Sequence, residues 1–337
     1  MKERVVENLN RAITALMKED DKVFFLGEDI LDPYGGAFKV SRGLSTQFPN
    51  RTIPTPISEL GILGVANGLA LAGQKPIVEL MFGDFIFLAF DQIVNFAAKS
   101  VTMYGHEFPY NLLVRCPTGG NRGYGPTHSQ SVQKHFIGVP NLDLFELSPL
   151  HDNNTLLPAL MDRGNPGIHF ENKVLYAQFQ YADGEIDDLF SYDFLDEKRY
   201  FARTFIEEDP EEAVVILSTG GMFNFCLEAA RELFMEHELE TQIVVPYQLY
   251  PFDVNPVKDL LLKAQAVFVV EESTAGGTWG AELTATIYRQ LEGLFNKPIH
   301  LIHSKDSIIP SARHLENEVL VQPKHIVDAV SKCLSYA

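Results

Sequence analysis

No run of apolar residues in this 337-residue chain is long enough to span a bilayer, because Gly, Pro or a charged residue breaks every candidate. The opening residues, MKERVVENLNRAI, carry mixed charges in the pattern of an amphipathic helix and lack the basic start and apolar block of a signal peptide, so a cytoplasmic protein is expected. Cysteine is scarce. Cys116, Cys226 and Cys333 are odd in number and far apart, which argues against a disulfide framework and a zinc site and makes each a small apolar residue rather than a nucleophile. Positive charge is in deficit, with 27 Lys and Arg against 45 Asp and Glu and a formal net charge of −18. Such a protein repels phosphate, so neither nucleic acid nor a membrane surface is an expected partner. Nucleotide loops are missing too: Gly119, Gly120, Gly123 and Gly125 fit neither G-x-G-x-x-G nor the phosphate-loop spacing. His300, His303 and Asp306 lie close in sequence, but without a helix-spaced His pair or a Cys cluster they are expected as surface or turn residues, and no metal site is expected.

What is present suits a large core. Hydrophobic residues make up 46% and charged residues 21%, enough for about two ordinary domains. Short apolar runs alternate with helical stretches. Strands are expected at 23–26, 76–80, 110–115, 142–147 and 167–171, with helices at 62–72 and 85–99 between them. Residues 177–212 are acidic and aromatic with no clear period, which suggests a connecting segment. The alternation then resumes, with strands at 214–217, 242–245, 267–270 and 299–302 and helices at 223–236, 256–263, 279–292 and 323–334. The expected fold class is α/β, with two domains, 1–176 and 213–337, each a mostly parallel sheet flanked by helices.

Three stretches could carry chemistry. In Thr55-Pro56-Ile57-Ser58-Glu59, Ser58 is placed to cap the following helix and Glu59 falls in its first turn. Taken alone, Glu59 is a carboxylate that complements the helix dipole, worth ~0.3–1 kcal/mol. Phe82, Phe85, Phe87 and Phe90 are too many for one stripe; most belong to a core, and one is available to face a flat heteroaromatic ring. Asp91, Gln92 and Asn95 share the same helix and need polar partners if buried. The Gly-rich stretch ends in His128-Ser129-Gln130, which puts an imidazole at an expected loop-to-helix junction, suited to acid–base work or to a local hydrogen bond.

In order along the chain, Gly27-Glu28-Asp29, Gly35-Gly36-Ala37-Phe38, Thr55-Pro56-Ile57-Ser58-Glu59, Phe82-Gly83-Asp84-Phe85 with Asp91-Gln92-Ile93, His128-Ser129-Gln130, Phe170-Glu171, Leu175-Tyr176, Glu271-Glu272 and Gly280-Ala281-Glu282 resemble the beta subunits of the decarboxylating component of 2-oxo acid dehydrogenases, members of the transketolase-like superfamily. No single block is decisive; the ordered set covers nearly the whole chain. The resemblance implies a pyrimidine-binding domain over 1–176, an acidic connecting segment over 177–212 and a transketolase C-terminal-like domain over 213–337. It implies thiamine diphosphate as cofactor, with Mg2+ held mainly by a partner alpha subunit in an alpha2beta2 heterotetramer, since no Gly-Asp-Gly segment is present here. Glu59 would hydrogen-bond the pyrimidine N1′, Phe85 would stack on that ring, Glu28 would join the polar network near Glu59, and His128 would act at the substrate end. The implied reaction is decarboxylation of a 2-oxo acid with transfer of the acyl group to a lipoyl acyltransferase. Departures include Gln248 where the family often has Arg, the acidic 177–212 stretch, and Pro126-Thr127 before His128. They leave open which 2-oxo acid is used and whether lipoamide is the acceptor. Half of a split transketolase-type enzyme and a non-catalytic scaffold subunit remain as alternatives.

Overall fold

The computed structural model describes residues 3–105, 107–210 and 212–335. Met1 and Lys2 of the expected first helix, Glu211 of the expected connecting segment, and the last two residues of the 213–337 span lie outside the described residues. The chain divides into two compact units that interleave in sequence. The first takes residues 1–118, 135–145 and 152–180, and the second takes 119–134, 146–151 and 181–337.

The first unit opens with helix Val5–Glu19, whose buried Val5, Leu9, Ala12, Ile13 and Leu16 recur at helical spacing. Asn8 on the same face is buried: its amide donates to Asp152 at 2.8 Å, and its Oδ1 accepts from the Asn153 backbone at 3.0 Å. That ties this helix to the start of helix Asn153–Met161. The latter was not expected from the sequence, because Asn-Asn-Thr at its start and Pro158 within it weaken the helical pattern. Strands β1 (Val23–Gly27), β2 (Thr52–Pro54), β3 (Lys75–Glu79), β4 (Leu113–Thr118), β5 (Asp143–Glu146) and β6 (Gly167–Asn172) follow the order β5-β6-β4-β3-β1-β2 within this unit. The pairs β1–β2, β1–β3, β3–β4 and β4–β6 are parallel. Strands β4 and β6 are buried along their whole length, although they carry Arg115, His169, Glu171 and Asn172, so these polar side chains need partners inside the fold.

The second unit contains β7 (Ser191–Phe194), β8 (Phe201–Phe205), β9 (Val214–Ser218), β10 (Thr241–Pro246), the short β11 (Gln248–Tyr250), β12 (Ala266–Thr274) and β13 (Ile299–Ser304). Its sheet runs β13-β12-β9-β10-β8-β7. The first four strands pair in parallel, and β8 and β7 add on antiparallel. Helices Phe223–His237, Trp279–Gln290 and Pro323–Ser335 flank it. The β7–β8 hairpin lies inside the acidic stretch 177–212 and carries the buried Tyr192, Phe201 and Ala202. Strand patterning there is masked by the many Asp and Glu around it.

Two expectations need correction. Residues 85–99 are helical but not one α-helix: Gly83–Ala89 is a 3-10 segment, Gln92–Ala97 a π segment and Ala98–Ser100 a last α turn. The cause lies in Asn67, whose amide donates to the Gln92 carbonyl oxygen and to Gln92 Oε1, each at 3.1 Å, so a side chain enters the ladder. His300 and His303 are not turn residues but half-buried positions on β13. His300 stacks on Phe268 with ring centroids 5.0 Å apart, an apolar contact invisible in the sequence spacing. Among the described residues no helix is long and apolar enough to cross a membrane.

Candidate active site

In the first unit the acids sit at the carboxyl ends of parallel strands, the end where open α/β sheets place ligand sites. β1 ends in Gly27, where a Cβ would lie 2.8 Å from the Glu79 carbonyl oxygen of the neighbouring β3, so only glycine permits that approach. Glu28 follows directly. Ser58 caps helix Glu59–Leu71 as expected, its hydroxyl accepting from the Gly61 amide at 3.3 Å, and Glu59 occupies the first turn. The two carboxylates are 7% and 5% exposed, too buried for ordinary surface caps. Burial first, then the nearby charges of Glu59 and Asp29, raise the Glu28 carboxyl above the usual glutamate range, with the Ser58 backbone opposing. Glu28 Oε1 is buried without a hydrogen-bond partner. Glu28 and Glu59 are therefore brought together.

Phe85 is half-buried on the 3-10 segment, against which helix Glu59–Leu71 packs. Its ring meets Phe82 edge-on at 6.1 Å; Phe82 meets Phe38 at 5.5 Å, and Phe38 meets Tyr176 at 5.1 Å. Asp91, Gln92 and Asn95 find partners within the fold: Asn95 donates to Asp91 at 2.8 Å, and Gln92 receives Asn67.

Beneath this aromatic chain lies a buried charge network that reading the sequence alone missed. Arg115 on β4 makes two bonds to Glu171 on β6, at 2.8 and 2.6 Å, and one short bond to Glu79 on β3. His169 Nδ1 lies 2.9 Å from Glu171 Oε1, and the Tyr176 hydroxyl donates to Glu171 Oε2 at 2.6 Å. Burial alone would raise Glu171, but the Arg115 and His169 contacts outweigh it and hold the carboxyl down at about 2. Glu79 receives one bond from Arg115 instead of two, and burial wins there, raising it. The signal was available: Glu79 ends β3, Arg115 lies within β4 and Glu171 within β6, and the register sets Glu79 beside Arg115. Gly36 rests on this network. It has φ 78°, and a Cβ there would collide with Glu79 Oε1, so the Gly35–Phe38 turn requires glycine twice over.

His128 belongs to the second unit, with the Gly-rich loop 119–134. It lies in a turn, half-buried, its Nδ1 2.8 Å from the Thr127 hydroxyl and its backbone amide donating to Gly125. The expected helix does not follow directly: residues 129–132 have no regular secondary structure, and a 3-10 turn, Gln133–His135, comes after them. Burial pushes the Cys226 thiol up to about 12 and the Cys116 thiol well above its usual range, so neither is a nucleophile.

The buried, adjacent carboxylates with an orphan oxygen, beside a chain of aromatic rings, fit a polar aromatic heterocycle such as an aminopyrimidine. Residues 4–178 match the transketolase pyrimidine binding domain, and residues 205–326 match the transketolase C-terminal domain. The chain is 30% identical to the pyruvate dehydrogenase E1 component subunit beta of Rickettsia felis over 334 residues, 99% of this chain and 98% of that protein. It is 32% identical to a chloroplastic pyruvate dehydrogenase E1 component subunit beta-3 of Oryza sativa subsp. japonica, covering 97% of this chain and 80% of that one. A split gene transketolase, solved as an inactive beta4 tetramer, shares the fold with a TM-score of 0.73 at 19% identity, covering 99% of both chains. The chain belongs to the transketolase-like family of E1 beta subunits of thiamine-dependent 2-oxo acid dehydrogenases.

Proposed function

We propose that this chain supplies the pyrimidine-holding half of a thiamine-diphosphate site in a decarboxylating 2-oxo acid dehydrogenase, and that it is active only with an alpha subunit. The observation that carries this reading is the buried Glu28–Glu59 pair, with Glu28 raised and its Oε1 unsatisfied. When bound, thiamine diphosphate supplies the carbon nucleophile and the electron sink that decarboxylation of a 2-oxo acid requires. Glu59 holds a proton shared with the pyrimidine N1′. Glu28 stays protonated to higher pH than an ordinary glutamate, which limits charge repulsion beside Glu59. Phe85 offers a ring face to the pyrimidine. His128 holds or moves a proton at the substrate end and assists acyl transfer to a lipoyl acceptor.

The absence of a Gly-Asp-Gly segment supports assigning Mg2+ and the diphosphate to the alpha subunit of an alpha2beta2 assembly. Residues 1–176 are assigned to the pyrimidine side, 177–212 to a connection and 213–337 to the C-terminal-like domain. A cytoplasmic location is part of the same proposal. The test is reconstitution with an alpha subunit and a 2-oxo acid decarboxylation screen. Glu59→Ala is expected to lower turnover by about 10²–10⁴-fold with an unchanged circular dichroism spectrum. Near-normal turnover in that complex would sink the assignment.

A further inference from the structure

We propose that Glu272 is a positioning residue, which staples the Gly-rich loop carrying His128 and acts on the reaction through that histidine. The inference rests on the reading of His128 given above. Glu272 is buried near the end of β12, and its two carboxylate oxygens reach opposite ends of one loop. Oε1 accepts from the Gly120 backbone amide and from Asn121 Nδ2, each at 3.0 Å. Oε2 accepts from the Ser131 hydroxyl at 2.9 Å, three residues past His128. The loop stems also pair with each other, the Gly119 amide donating to the Gln130 carbonyl oxygen at 3.1 Å.

The rest of the loop is held from the same unit. Glu316 accepts from the Gly123 amide at 3.2 Å, and Lys134 closes the exit by donating to the carbonyl oxygens of Thr274 at 2.9 Å and Gly276 at 3.1 Å. Gly120 packs so closely that a Cβ would collide with Leu320. Between these anchors Arg122, Gly123, Tyr124, Pro126 and Thr127 are exposed. Such a loop has little apolar burial of its own and takes its shape from its ends. A residue needed at a reacting centre loses much of its effect when displaced by about 1 Å. Glu272 grips both the entry and the exit of the loop, so its loss frees the segment that bears His128.

The bland alternative is a carboxylate that only satisfies loop donors. A double-mutant cycle in the reconstituted alpha–beta complex separates the two, using wild type, Glu272→Ala, His128→Ala and the pair, with free lipoamide as acceptor. Glu272→Ala is expected to lower kcat for acyl transfer by about 10- to 100-fold. KM and thiamine-diphosphate affinity should hold, and amide exchange should speed up at residues 120–131. The double variant should be no slower than His128→Ala. Glu272→Gln, which still accepts on one oxygen and can donate its amide to Ser131 Oγ, should recover most of the loss. Ser131→Ala removes a single bond and should fall between, giving a readout if Glu272→Ala fails to fold. Full additivity of the two losses, or unchanged kcat and exchange in both Glu272→Ala and Ser131→Ala, overturns the inference while leaving His128 in its role. If His128→Ala alone leaves acyl transfer untouched, the reading of His128 fails and the inference falls with it.

Discussion

Glu146 is the clearest case of a residue whose surroundings decide its charge. Burial, with Glu272 and Glu271 adding repulsion, pushes its carboxyl up to about 7, although Gly221 and Gln133 each donate to it at 2.8 Å. Its folded value is above its unfolded one, so the stability it contributes is fully present below about 4.5 and is lost as pH rises to about 7. The shift corresponds to on the order of 3 kcal/mol across that window, and to no further change above it. Thermal melts from pH 4.5 to 8 should therefore show a decline in stability that Glu146→Gln flattens, while identical slopes would contradict the assignment. With the Gln133 amide turned over, its Oε1, which lacks a partner, can accept from the introduced amide in place of the present donation to Glu146. Nothing in the sequence signalled this, since Glu146 reads there as the polar end of an apolar strand. Glu59 differs: its place after a capping Ser was legible, but its burial beside Glu28 depends on β1 and the helix converging, which no local pattern records.

At the scale of elements, the strands with continuous apolar runs were the most legible, because burial on both faces leaves a signature that survives any register. The β7–β8 hairpin and helix Asn153–Met161 were not legible, because acidic neighbours and Pro158 blurred their periods. The broken helical stretch over 83–100 was half legible: apolar spacing gave the helix, and only the distant Asn67 explains the π segment. The buried ion network joins three strands and the Gly35–Phe38 turn, so it should fail as a unit. Removing one partner of a buried pair costs ~3–5 kcal/mol, because the other charge is left uncompensated. Arg115→Met is expected to destabilise the fold by about that amount, with Glu79 and Glu171 both stranded. Gly36→Ala should also lower the melting temperature and disturb Phe38, whose ring leads through Phe82 to Phe85. Chemical denaturation of each variant, followed by thiamine-diphosphate titration of the reconstituted complex, checks both. An unperturbed Gly36→Ala would show that the turn does not support the aromatic chain.

For the molecule as a whole, the pattern of exposure argues that a partner covers the face beside the proposed site. Ile57 is 84% exposed, Leu60 50% and Val65 55%, on or next to the helix that carries Glu59, and Leu88 on the adjoining segment is 61% exposed. Scattered exposed apolar residues are normal, but Ile57, Leu60 and Val65 all lie within six residues of Glu59 in sequence, and Leu88 lies on the 3-10 segment that packs against the same helix. With a net charge of −18 the chain gains little by self-association through polar surface, so an apolar face is the natural contact for a second subunit. Replacing Leu60 and Val65 together by Glu leaves the core untouched, since neither belongs to it. The double variant is expected to melt within a few degrees of wild type, yet to co-purify poorly with the alpha subunit and to lose turnover in proportion to the lost complex. Retained activity in whatever complex still forms is the diagnostic result, because it separates assembly from chemistry. A variant that assembles normally but is inactive would instead place these side chains at the reacting centre, and would move the boundary of the site outward from Glu59.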